Sequence, residues 1–232
     1  MTIVLPAERQ QRLVSLASAA TAVFGRFGYR AARTSEVAKQ AGVSDGSVFN
    51  YVETKEALFH LVFLHGFGHL DNVVELPIAT PEEGDTARLV EENLRRVPVP
   101  NLRAALAVDR PADIAAELTG IVEERYDIQE RLWPVLAVIE RCAVEMPDIE
   151  RFYYGRTRVG YFGRLAQYLE KRAVAGLLRP MPDYAVAARL VSETVSWFAW
   201  HRREGRDALL YDDDMARKTV IEFVAAALLD IP

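Results

Sequence analysis

The chain contains little of what several common functions require. It has one cysteine, Cys142, so an internal disulfide is impossible and a reducing, cytoplasmic setting is expected. It has no uninterrupted apolar run near the ~18 residues of a membrane-crossing helix. The longest candidate, Val220 to Leu229, is short and contains Glu222, so no membrane partner is expected. The opening MTIVLPAERQ has no basic start and few apolar residues before Pro6 and Glu8, which does not read as a secretory signal. Apolar-polar alternation of the kind that marks a half-buried strand is missing. No glycine-rich loop follows a strand, and Gly155, Gly160 and Gly163 lie inside a helical pattern. There is no HExxH. His65 and His69 are four apart with His60 nearby, a spacing that could bring two imidazoles to one metal. With no further ligand signature they read as boundary histidines. Cys142 has no local partner for nucleophilic catalysis and reads as a packing residue. Metal, cofactor and catalytic residues are therefore all set at none, and the chain reads as a non-enzyme.

What is present is a helical protein with an uneven charge distribution. The 232 residues are 50% hydrophobic and 26% charged, with a net charge of -5. Residues 1–60 hold seven Lys/Arg against five Asp/Glu, hence +2, and the remaining 21 against 28 leave -7. Local charge, not the total, decides whether phosphate is attracted. From Glu8 to Phe27, Leu13, Leu16, Ala17, Ala20, Phe24 and Phe27 recur at steps of three and four, one helical stripe. Gly28 is the expected stop. Thr34 is expected to cap a short helix to Ala41, Ser44 another to about Tyr51, and Thr54 a long one from Lys55 to about Leu76. Thr80-Pro81-Glu82-Glu83 reads as a capping box opening a helix to about Val97. Further helices are expected from Asn101, from Pro111 to about Val144 with a kink at Pro134, from Pro147 to about Ala175, from Asp183 to about Arg203, and from Met215 to Leu229. The fold class is all-α.

Thr34 to Glu53 reads TSEVAKQAGVSDGSVFNYVE. Two short helices crossing through a tight turn need a small residue at the crossing, supplied by Ala38. They need a residue that accepts positive φ, supplied by Gly42. Val37, Ala41, Val43 and Val48 fall at inward positions. Asp45, Gly46, Ser47, Phe49 and Asn50 fall outward. That is a helix-turn-helix pattern.

With the preceding FGRFGYRAART and the continuation Tyr51…Lys55-Glu56-Ala57-Leu58, the segment resembles the N-terminal domain of the tetracycline-repressor (TetR) family of bacterial transcription regulators, over roughly residues 10–60. The resemblance implies a three-helix DNA-binding head at residues 1–55 and a helical ligand-binding and dimerisation domain at 56–232. It implies phosphate contacts from Thr34, Tyr51 and Lys55, with Arg33 and Arg30 adding backbone contacts. Ser44, Ser47, Phe49 and Asn50 would face the major groove of double-stranded DNA, on a palindromic operator read by two copies of Ser44–Tyr51 spaced by about 34–36 Å. Three positions depart from the family pattern. Asp45 stands where a basic or neutral residue is common, Phe49 where tyrosine is common, and Val52 where phenylalanine is common. Asp45 would repel phosphate, and the loss of a tyrosine hydroxyl removes one anchor.

The body, rich in aromatics, is expected to hold a small apolar or aromatic effector near Tyr126, Trp133, Cys142, Phe152 and Arg156. The last two helices are apolar over more than one face, which predicts a homodimer through a four-helix bundle. The resulting expectation is a ligand-responsive repressor, released from its operator by the effector. The alternative is a helical small-molecule-binding or enzymatic protein whose helix-turn-helix is only structural. Exposure of Phe49 and Asn50 discriminates the two, because a structural hairpin has no reason to leave Phe49 in water.

Overall fold

A computed structural model describes residues 5–205 and 210–229. The fold is all-α, and the described residues contain no strand, only the isolated bridges Val52–Ile78 and Leu178–Leu229. The helices are α1 (Ala7–Ala31), α2 (Thr34–Ala41), α3 (Asp45–Val48), α4 (Lys55–Gly66), α5 (Asp85–Arg96), α6 (Pro100–Ala107), α7 (Ile114–Ala143), α8 (Pro147–Phe152), α9 (Val159–Val174), α10 (Tyr184–Ala199) and α11 (Asp213–Leu228). No helix among the described residues is long and apolar enough to cross a membrane. The chain packs as two compact units, one of Met1–Arg96 with Pro134–Gly155, the other of Val97–Trp133 with Arg156–Pro232. Helix α7 runs continuously through Pro134, the residue at which the chain passes from the second unit into the first.

The first unit is built on α1 and α4. Of the predicted stripe, Leu13, Leu16, Ala17, Ala20 and Phe24 are buried and Phe27 is half-buried; Ala57, Leu58, Phe59, Leu61, Val62 and Phe63 are buried as well. Helix α4 is apolar nearly all round, as a helix enclosed by neighbours must be. Its Phe59 ring meets Phe24 edge-on at 5.1 Å and Phe63 at 5.0 Å, a geometry that adds to the burial of area. Helix α2 packs on α1, and α3 on α2. Thr54 caps α4 as expected, its hydroxyl accepting from the Ala57 amide at 3.2 Å.

The second unit packs α10 against α9 and α11, and α6 against α9. Its core includes Leu118, Tyr126, Leu165, Tyr168, Val195 and Val224. Arg172 is wholly buried, yet its guanidinium is fully engaged. It donates to Glu117 at 2.7 and 2.9 Å and to the carbonyls of Ala105, Val108 and Asp109. A buried charge is tolerated only with such pairing, and here it also satisfies carbonyls at the C-terminal end of α6. Asp183 and Asp212 cap α10 and α11, accepting from Val186 and Met215 amides at 2.9 Å.

Several predicted boundaries move. Gly28 interrupts α1 with φ 80° and ψ 173° without ending it. The carboxylate of Glu145, which would crowd any Cβ at Gly28, accepts from the Arg30 amide at 2.7 Å just beyond the break. Thr34 is the first helical residue of α2, with Arg33 at the cap position. Helix α4 ends at Gly66, and not near Leu76, because the chain turns at Gly68 with φ 77°. Thr80 does not open a helix. Its amide donates to Glu53 at 2.9 Å and its hydroxyl pairs with Thr54 at 3.0 Å, and α5 begins only at Asp85. The expected helix Pro147–Ala175 widens into a π-helical stretch at Tyr153–Arg158. The helix from Asp183 stops at Ala199, followed by a 3-10 turn at His201–Glu204.

Candidate nucleic-acid interface

The helix-turn-helix is assembled as the sequence requires. Ala38 is wholly buried at the crossing, with Val37 and Val48 beside it. Gly42 closes α2 in the left-handed conformation, φ 69° and ψ 33°, and the Val43 amide returns to the Ala38 carbonyl at 3.0 Å. That closure is the αL stop that glycine supplies at no steric cost. Helix α3 is shorter than expected. Only Asp45–Val48 is α-helical, and Phe49 to Tyr51 continue as tight turns, with Asn50 N bonded to Ser47 O at 3.2 Å and Tyr51 N to Val48 O at 3.0 Å. The chain then pairs with the loop at Ile78, whose amide donates to the Tyr51 carbonyl at 2.8 Å.

This arrangement presents a polar and aromatic surface. Phe49 is 47% exposed. Ser44, Asp45, Gly46 and Asn50 are exposed, while Ser47 and Tyr51 are half-buried. Ser44 and Ser47 share a hydroxyl hydrogen bond at 2.7 Å, and neither hydroxyl caps the helix. Arg33 is exposed and Thr34 half-buried at the start of α2, where first-turn amides favour an anion. The Arg33 amide is held by Glu36 at 3.2 Å. Lys55 donates to the Arg30 carbonyl at 3.3 Å and lies 4.9 Å over the Tyr29 ring. Its ammonium is thereby fixed near the end of α1, a placement that the spacing Thr34…Lys55 does not reveal.

Tyr29 and Glu56 complete this group, and the sequence reading missed both. The Tyr29 hydroxyl donates to Glu56 at 2.9 Å. Burial, then Glu56, drives the Tyr29 pKa far up. Glu56 is held below the usual carboxylate range by its own backbone amide at the start of α4 and then by Tyr29. The signal available beforehand was a tyrosine beside a glycine break and a carboxylate in a helix's first turn.

The histidines have individual partners and do not share one helix face, since α4 ends before His69. His60 meets Thr86 at 2.9 Å, His65 meets Ser18 at 3.3 Å, and His69 meets Asn93 at 2.8 Å. Burial lowers the pKa of both His60 and His65.

The five residues named for an effector fall in different units. Tyr126, Trp133 and Arg156 belong to the second, Cys142 and Phe152 to the first. Tyr126 is wholly buried, its hydroxyl donating to the Phe198 carbonyl at 3.3 Å. Cys142 is wholly buried with Sγ 3.8 Å from the Phe24 carbonyl, and burial pushes its thiol up to about 12. Trp133 and Phe152 are half-buried and Arg156 is exposed. A polar strip inside the second unit went unnoticed in the sequence. Gln129 donates to Ser196 at 2.9 Å, while Gln129 Oε1 and Ser192 Oγ are buried with no hydrogen-bond partner among the described residues. Unsatisfied buried acceptors are costly, and serines four apart in an apolar helix were the available sign.

Residues 16–62 match the model of a family described as bacterial regulatory proteins, tetR family. No curated protein sequence matches the chain. Among solved structures, the ketosteroid transcriptional regulator KstR2 of Mycobacterium tuberculosis is similar with a TM-score of 0.54 at 17% identity, covering 100% of both chains. AibR in complex with isovaleryl coenzyme A and operator DNA is similar with a TM-score of 0.51 at 16% identity, covering 91% of this chain and 97% of that one. At such identities the likeness is one of fold. The helix-turn-helix segment, residues 16–62, is thus similar to that of the tetR family of bacterial regulatory proteins.

Proposed function

We propose that the protein is a homodimeric, effector-responsive DNA-binding transcriptional regulator, and specifically a repressor that leaves its operator when a small molecule binds. The observation that carries this reading is the exposed Ser44–Tyr51 segment, with Phe49 and Asn50 in solvent on a tetR-family head. Residues 1–55 serve as the reading head and residues 56–232 as the effector and dimerisation part. Thr34, Tyr51, Lys55 and Arg33 anchor phosphates. Ser44, Ser47, Phe49 and Asn50 meet base edges, Asn50 having the amide suited to adenine. The effector occupies the helical body, with Tyr126, Trp133, Cys142, Phe152 and Arg156 as candidate contacts. AibR, of the same fold, was captured with both isovaleryl coenzyme A and operator DNA, which supports pairing the two ligand classes in one chain. By linkage, operator DNA must weaken effector binding by the factor with which effector weakens operator binding.

Fluorescence anisotropy on the promoter beside the protein's own gene tests the reading. Asn50→Ala and Tyr51→Ala are each expected to abolish binding while circular dichroism and the dimer remain unchanged. Normal binding by both variants would overturn the assignment of the reading segment.

A further inference from the structure

Two residues on the exposed side of the helix-turn-helix, Gly46 and Phe49, serve nothing inside the fold. Gly46 is the second residue of α3 and is exposed. Its φ is not positive, so the backbone there does not require glycine. A Cβ built on it would meet no atom within 4 Å among the described residues, so internal packing does not require glycine either. Gly42 differs, since its φ of 69° demands it. Glycine is a poorer helix former than alanine, and at Gly46 the missing side chain benefits only a body outside the chain.

Phe49 lies three residues beyond Gly46 and Asn50 four, the spacings that share one helix face. Phe49 keeps the right-handed helical conformation, φ -73° and ψ -7°, so that face extends past the last residue of α3. Phe49 is 47% exposed, while Val48 is wholly buried. The outer face therefore offers bare backbone at Gly46 and an apolar ring beside the Asn50 amide.

A phenyl ring has no donor or acceptor with which to read a base edge. In the major groove the bases present hydrogen-bonding groups, and thymine alone adds an apolar one, its C5-methyl. Against the other bases the ring would cover polar groups without replacing their bonds to water, which is costly. Against thymine it withdraws a methyl group and part of its own surface from water. That contact needs the backbone of α3 deep in the groove, and a residue without a Cβ permits such an approach.

We infer that Phe49 recognises the C5-methyl of a thymine in each half-site, and that Gly46 lets α3 come close enough for the ring to reach it. The inference rests on the DNA-reading proposal and gives that reading segment a base preference.

The test uses the full-length protein. Random duplex DNA is enriched for bound sequences, and the enriched duplex is then prepared with deoxyuridine in place of thymidine, one position at a time. Deoxyuridine keeps the base pair and loses only the methyl. At one thymine position in each half-site, anisotropy is expected to show about a fourfold loss of affinity per half-site, the scale of one methyl group withdrawn from water. Phe49→Ala is expected to bind more weakly and to treat the two duplexes alike, whereas Phe49→Leu, still apolar, retains part of the discrimination. Comparing both changes singly and together isolates the ring–methyl pair. Gly46→Ala is expected to melt at the same temperature or higher and yet to lose about tenfold in affinity, the scale of one overpacked contact. A glycine needed only for folding would move the melt instead. If the parent binds duplex DNA but deoxyuridine has no effect at any position, or if Phe49→Ala keeps the parent's discrimination, the inference is overturned and the DNA-reading proposal stands. Undiminished binding by Gly46→Ala overturns it as well. A parent that enriches no duplex overturns the DNA-reading proposal, and this inference with it.

Discussion

Asp45 shows how one side chain can set the strength of a nucleic-acid contact. It occupies the first helical position of α3 and is exposed. There it has two opposing effects. It complements the positive end of the short helix, and under the proposed function it stands among the residues that meet DNA, where it would repel phosphate. Thr34 to His60 contains two lysines against four carboxylates, so losing one negative charge changes that balance appreciably. Asp45→Asn is expected to tighten operator binding and to steepen the slope of log affinity against log salt by about one unit, since that slope tracks the number of neutralised phosphates. A salt titration by anisotropy measures it. An unchanged slope would assign Asp45 to the helix terminus alone. Cys142 is a contrasting case, a reactive residue type made inert by position. With its thiol pushed up to about 12 by burial, it carries almost no thiolate near neutral pH, consistent with packing and not chemistry.

At the scale of elements, helix periodicity was legible and helix ends were less so. The α1 stripe, the Thr54 and Asp183 caps and the Gly42 turn all follow from local chemistry. The misplaced ends share a cause: each depended on a partner distant in sequence. Thr80 has the residues of a capping box, but Glu53 and Thr54 take its amide and hydroxyl. Gly66 looks like an ordinary glycine inside an apolar run, yet a Cβ there would fall 2.0 Å from Val135 Cγ2. Helix α4 therefore approaches the second half of α7 closely at that point, and a β-branched valine cannot swing aside. Gly66→Ala is expected to destabilise the protein by about 1–3 kcal/mol, the usual cost of overpacking, even though alanine is the better helix former. A urea melt measures it, and G66A combined with Val135→Ala should recover much of the loss. A stabilised G66A would show that the two helices can separate freely. The exposure of this segment, by contrast, was largely legible: Phe49 and Asn50 face outward and Val48 inward as expected, while Ser47, Ala41 and Val43 are half-buried. The Tyr29–Glu56–Lys55 group was not, since it joins the end of one helix to the start of another across 26 residues.

For the whole molecule, the question is what covers the apolar surface that α10 and α11 leave exposed. Helix α10 exposes Val186, Leu190 and Trp197, and α11 exposes Met215 and Phe223. These steps of four, seven and eight place each set along one side of its helix. Meanwhile Ala188, Val195, Val220 and Val224 are buried within the unit, so each helix is apolar on a second face beyond the one that its own core uses. Monomers rarely leave such a contiguous patch in water, and two copies related by a two-fold axis can bury it as a four-helix bundle. Leu190 is 64% exposed and Phe223 65%, so replacing them removes little from the unit's own core. L190E/F223E is expected to retain its helicity and to sediment as a monomer where the parent sediments as a dimer. Its operator affinity should fall by orders of magnitude, because each monomer engages one half-site without the second contact being held nearby at high effective concentration. Single half-site DNA separates the outcomes. The variant should bind a lone half-site as weakly as a parent protomer does, which places the defect in assembly and not in the reading segment. A variant that still sediments as a dimer would mean that these helices are not the interface.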